Sequence, residues 1–103
     1  MIARRWQGRV RTADADAYLA LMRDVALSDY RAVAGNLGAW CLHRTDGYVT
    51  HVEMLTLWSD WDAIERFAGR PAERAKYYAF DRDYLFELDP LVTHFEVFDA
   101  QSA

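Results

Sequence analysis

The chain has 103 residues and a net charge of −4, with 52% hydrophobic and 15% aromatic residues. That length gives room for one domain over the whole span, 1–103, and the composition is that of a globular chain with a sizeable core, not a disordered segment. The acidic balance excludes nucleic-acid phosphate as a partner, because backbone binding needs a basic surface.

The single cysteine, Cys41, permits no internal disulfide. It reads as a small buried strand residue in a chain kept in a reducing cytoplasm. No long apolar run follows Arg4 and Arg5, so neither a signal peptide nor a membrane span is expected.

In chain order, 2–10 alternates as Ile2, Arg4, Trp6, Gly8, Val10 against Ala3, Arg5, Gln7, Arg9, the pattern of a first strand. Thr12, Asp14 and Asp16 then set capping and acidic groups at a helix start. The spacing predicts a helix over 14–33 with Tyr18, Leu21, Met22, Val25 and Leu27 as its apolar stripe, ended by Gly35 and Asn36.

The stretch GNLGAWCLHRTDGYVTHVEMLTLW reads as a β-hairpin, its strands 37–44 and 49–58 rich in aromatic and β-branched residues. Centring the turn on Asp46-Gly47 sets Arg44 opposite Val49, Leu42 opposite His51 and Trp40 opposite Glu53. One face then carries Ala39, Cys41, His43, Val52, Met54 and Trp58; the other carries Trp40, Leu42, His51, Glu53, Leu55 and Leu57. Neither face is polar enough to stand in water, and the chain supplies helices for only one, so a homodimer through the second face is expected.

Beyond the hairpin, Ser59-Asp60-Trp61-Asp62 resembles a capping box and predicts a helix whose inner face is Ile64, Phe67 and Ala68, stopped by Gly69. Pro71 suits the first turn of another short helix over 72–78. Residues 79–89 mix Tyr84, Leu85, Phe86 and Leu88 with five charges and read as neither strand nor free loop. After Pro90, 91–98 alternates as a last strand. The order strand, helix, strand, strand, helix, strand is that of an α+β, ferredoxin-like split βαβ domain with a four-stranded antiparallel sheet.

At this point the chain resembles the antibiotic biosynthesis monooxygenase (ABM) family of dimeric α/β barrels. The resemblance lies in MIARRW, DYRAVAGNLGAWCL, LTLWSDWDAIERFAG, RAKYYAFDRDYL and VTHFEV, and the strand-to-helix joint LTLWSDWDAIERFAG is its most telling part. It implies a barrel-like dimer of two sheets packed back to back. It also implies an activity among cofactor-independent oxygenases of aromatic polyketides, quinol oxygenases or haem-degrading enzymes. The haem-degrading relatives carry an iron-ligating histidine where this chain reads Glu73-Arg74-Ala75-Lys76-Tyr77-Tyr78, with Trp6 near the place of their pocket Asn, so the haem reading is set below the others. In the cofactor-free relatives Trp, Tyr, Asn and Arg groups hold a phenol, a role that Trp58, Tyr77 and Tyr78 match in type.

Read without the family, the chain has no nucleophile elbow, phosphate loop, dinucleotide fingerprint or metal-spaced pair of Cys or His, so neither cofactor nor metal is expected. His43 shares a face with Met54 and Trp58 and reads either as a general base or as a hydrogen-bonded structural residue. His94 has no face assigned by sequence. Tyr77, Tyr78 and Trp61 read as packing aromatics before catalytic ones, because aromatics at helical spacing usually bury area first. The site expected from all of this has His43, Trp58 and Tyr77 as catalytic candidates and Trp6, Met54, Tyr78 and His94 against a small aromatic substrate. Three functions fit: a homodimeric oxygenase, a non-catalytic binding module, and a structural protein whose cavity is only a packing gap.

Overall fold

The computed structural model describes residues 1–101. Strand β1, Ile2–Arg11, turns Ile2, Arg4, Trp6, Gly8 and Val10 to the buried side and Arg5, Gln7, Arg9 and Arg11 to the other. A 3-10 turn, Thr12–Asp14, leads into helix α1, which covers 15–32. Asp14 does not cap it, because its carboxylate is taken in a two-bond pair with Arg11.

Helix α1 consists of Ala15–Leu21, a π-helical segment Met22–Ala26, and Leu27–Ala32. Its buried row is Tyr18, Met22, Ala26 and Tyr30, while Val25 of the expected stripe is exposed. These four residues lie four apart throughout. In a regular α-helix each such step overshoots a turn by about 40°, so the row would wind off the sheet. The wider π turn takes up the excess and keeps all four side chains on one face.

The hairpin consists of β2, Asn36–Asp46, and β3, Val49–Trp58. Its turn residues are Gly47 and Tyr48, not Asp46 and Gly47, since Asp46 pairs with Val49. Only Gly47 needs positive φ here (60°), the pattern of a turn with glycine in the first central position. The register is therefore Arg44 with His51, Leu42 with Glu53, and Trp40 with Leu55. The slip from the expected pairing is two residues, an even number, so the side chains beyond the bulge between Asn36 and Gly38 keep their expected faces.

Helix α2, Trp61–Ala68, begins one residue later than the capping-box reading. Asp60, in an extended conformation, is the N-cap, and its Oδ1 accepts the Ala63 N–H at 2.9 Å. Ala63, Ile64 and Phe67 face inward, and Gly69 at φ 80° ends the helix.

Residues 72–78 do not form the expected helix. Their backbone groups are engaged elsewhere: Arg4 takes the carbonyls of Ala72 and Arg74, the Ala75 N–H donates to Pro90, and Arg74 bridges Leu91. The stretch of ambiguous composition holds a single helical turn, α3, Asp81–Tyr84, followed by a bridge from Leu85 to Val10. Strand β4, Thr93–Glu96, is half the length expected.

The sheet is antiparallel in the order β2-β3-β1-β4. The fold is thus α+β with an open four-stranded antiparallel sheet, compatible with the split βαβ arrangement. Both long helices cover the face bearing Trp6, Met54 and Trp58. The other face carries Trp40, Leu42 and Phe95, each about half exposed, beside His51, Glu53, Leu55 and Leu57. No described helix is long and apolar enough to cross a membrane.

One glycine shapes the interior. A Cβ on Gly8 would lie 2.6 Å from the end of the Trp6 ring and 2.8 Å from a Leu85 methyl, so the indole lies along β1 in space left by the missing side chain. Gly8→Ala is expected to displace the indole and cost about 1–3 kcal/mol of stability. Chemical denaturation checks the cost, and the environment of the Trp6 indole N–H in an NMR spectrum checks the displacement.

Candidate functional site

On β1 the alternation that buries Trp6 sets it beside Met54 of β3, which in turn pairs with Cys41 of β2. Tyr77 closes over Trp6 edge to face, with ring centroids 6.2 Å apart, and Leu85 flanks the indole on the Gly8 side. The Trp6 side chain is 6% exposed, and its indole N–H has no hydrogen-bond partner. Buried N–H groups rarely go unpaired, because the lost hydrogen bond to water is not replaced. The Tyr77 hydroxyl donates to the Asp89 carbonyl. Burial raises its pKa, and the Trp6 indole N–H beside the hydroxyl partly opposes that rise.

The other candidates divide between core and surface. Met54 and Trp58 are fully buried, and the Trp58 indole N–H donates to Thr56 Oγ1 at 2.8 Å, so that donor is engaged. Trp58 packs instead in an aromatic cluster with Tyr30 and Phe67, at 6.3 and 5.5 Å. His43 is exposed near the turn end of β2. It pairs with Val52, which pairs with Gly8, so His43 shares the helix-side face with Trp6 about two strand spacings, roughly 10 Å, from β1.

His94 lies on the same face beside Arg4. Arg4 is 2% exposed, and burial lowers its pKa. Its guanidinium donates to the carbonyls of Ala72 and Arg74 and to His94 Nε2 at 3.0 Å. Guanidinium has no acceptor, so Nε2 is the unprotonated nitrogen of a neutral imidazole. The ring rests edge to face on Trp61 at 4.9 Å. Its pKa is lowered by burial first and by the Arg4 charge second.

Tyr78 sits farther along the same segment. Its hydroxyl donates to Asp29, which also receives Lys76 Nζ at 2.8 Å. Burial alone would raise the Asp29 carboxyl, but these two donors hold it below the ordinary range. Asp81 is 1% exposed and accepts the Tyr18 hydroxyl and the Tyr78 N–H, both at 2.7 Å. Burial outweighs both bonds and raises its pKa.

Trp6, Met54 and Tyr77 are therefore brought together, Trp58 lies deeper in the core, and His43, His94 and Tyr78 stand at three separate margins. Sequence reasoning missed Arg4, Asp29, Asp81 and Tyr18. For Arg4 a signal existed, since it alternates in phase with Ile2, Trp6 and Val10. A groove of about 480 Å³, lined by Arg5, Arg9, Leu42, His43, His51 and Glu53 among others, takes in His43 but none of the other candidates. Among the described residues no three of His, Cys, Asp and Glu are grouped as a metal site.

No protein-family model matches the chain, and no curated protein matches it.

Protonating His94 would place an N–H against the Arg4 guanidinium. A histidine with a lowered folded pKa binds fewer protons folded than unfolded, so stability is present above the unfolded pKa of about 6.5 and declines as pH falls from there toward the folded value. Denaturation midpoints at pH 7 and pH 5.5 should show this loss, and His94→Gln, which keeps an acceptor for Arg4, should reduce it.

Proposed function

We propose that this chain is a small homodimeric oxygenase of the ABM type. In this reading it works without flavin or metal and holds an electron-rich phenol or quinol between the sheet and the residues that cover it. The observation that carries the reading is the buried Trp6 indole N–H, which makes no hydrogen bond, in a tryptophan packed edge to face with Tyr77. A substrate oxygen there would complete its hydrogen bonding while the Trp6 and Tyr77 rings hold the aromatic plane. Such a substrate, once deprotonated, is electron-rich enough to react with oxygen directly. His43 is the candidate base, on the same face and free of the Arg4 bond that engages His94.

Dimerisation belongs to the same proposal. Trp40, Leu42, Leu55, Leu57 and Phe95 share the sheet face that no helix covers, around the Arg5–Glu53 ion pair. A second copy packed sheet to sheet would remove that apolar surface from water, giving the dimeric barrel. A reducing cytoplasm suits the single thiol of Cys41.

The distance of His43 from β1, two strand spacings, favours a second reading, a binding module that holds an apolar metabolite without turning it over. Oxygen uptake with a panel of phenols and quinols separates the two, since the first requires turnover and the second only saturable binding. Trp6→Phe removes the N–H and keeps the ring plane. In the oxygenase it should lower turnover by about 10-fold, the scale of one hydrogen bond to a charged oxygen. Unchanged turnover would remove Trp6 from the site. Sedimentation of the protein at micromolar concentration should give twice the 11.9 kDa chain mass, and a monomer would refute the barrel.

A further inference from the structure

The segment 76–84 crosses α1 without a single backbone hydrogen bond to it among the described residues. Its ends are pinned to the rest of the fold. On one side Arg4 grips the Ala72 and Arg74 carbonyls and Ala75 bonds Pro90; on the other Phe86 donates to Arg9 and Leu85 bridges Val10. Between those pins the hydrogen bonds to α1 all come from side chains and converge on two carboxylates. Asp29 of α1 receives Lys76 and Tyr78 of the segment, and Asp81 of the segment receives Tyr18 of α1. Asp81 also accepts the Tyr78 N–H, so the two fastenings are joined through one residue.

The rings of Phe80 and Tyr84 rest on Tyr18 at 6.1 and 5.5 Å, and Phe80 stacks on Tyr78 at 5.6 Å. The underside of the same segment presents Tyr77 to Trp6. A stretch pinned at both ends, fastened in the middle by side chains alone, opens at lower free energy than the strands beneath it, because no backbone ladder must break.

We infer that 76–84 is a hinged lid over the Trp6 indole, held closed by the Asp29 and Asp81 fastenings together with the Tyr77 hydroxyl on the Asp89 carbonyl, and opened by their release. The inference rests on the reading of Trp6 as a ligand's hydrogen-bond donor, and it supplies the route by which a ligand reaches a side chain that is 6% exposed when the lid is shut. Opening moves Tyr77 off the indole, and closure excludes water from whatever oxygen the N–H holds. Lys76 has a further closing contact, its ammonium 4.5 Å from the centre of the Phe67 ring.

The test uses the intact protein without any substrate. Hydrogen exchange is followed at the amides of 76–84, at the amides of β3 as a control, and at the indole N–H of Trp6, assigned among the four tryptophans by its absence in Trp6→Phe. The double variant Tyr78→Phe with Lys76→Gln releases Asp29 without altering the buried core. It should speed exchange at 76–84 and at the Trp6 indole by about 10-fold or more while leaving β3 unchanged. Asp81→Asn should act in the same direction, and if that variant fails to fold, the double variant alone decides. The lid is refuted if 76–84 exchanges faster while the Trp6 indole does not, if neither changes, or if β3 accelerates equally and the effect is global. Oxygen uptake plays no part in this measurement, so the lid and the oxygenase reading fail separately.

Discussion

The fold is organised around the buried guanidinium of Arg4. A charge taken from water into the interior is tolerated only when its donors are met, and Arg4 has no carboxylate bonded to it among the described residues. Two backbone carbonyls and a neutral imidazole meet them instead. This arrangement dictates the conformation of the chain after α2. The carbonyls of Ala72 and Arg74 must point at β1, which denies 72–78 a helix and brings Tyr77 over Trp6. It also joins β4 to β1 through His94, giving the short edge strand a side-chain attachment beyond its ladder.

Around this centre the sheet divides labour between its faces. On the helix side, side chains interlock as an organic solid does, with the rings of Trp58, Tyr30 and Phe67 packed at tilted and edge-to-face angles 4.5 to 6.3 Å apart and Met54, Ile64 and Val52 filling between elements. On the other side apolar residues surround ion pairs such as Arg5 with Glu53 and Arg9 with Glu87. Exposed pairs of this kind add little stability. Their value lies in fixing orientation when a second surface approaches.

The period of two along β1 and the hairpin was enough to read the strand faces, and it survived an error in the turn because the slip was even. The strands, the order of elements and the uncovered face were legible for that reason. Less visible were features that depend on contacts distant in sequence. The π segment of α1 arises from a need to keep Tyr30 on the sheet, which no local propensity announces. The loss of the 72–78 helix depends on a guanidinium about seventy residues earlier in the chain. Among site residues, Trp6 and Tyr77 were found as aromatics and do meet. Trp58, found on the same grounds, is walled in by Tyr30 and Phe67. Asp29 and Asp81 carried no signal, since nothing local separates a solvated carboxylate from one awaiting a distant tyrosine hydroxyl.

The π segment also uncouples the length of α1 from its facing. A π turn is geometrically an α-helix with one residue inserted, the surplus being absorbed where it occurs. Arg23, Asp24 and Val25 are all exposed within that turn. A chain lacking one of them would relax to a regular helix whose inward row steps by four, three and four, keeping the tyrosines at both ends of the row on the sheet and the Asp29 carboxylate turned to its lysine. Helix length in this fold is thus a neutral coordinate over one residue, and sequences differing there by a single deletion would present the same buried surface.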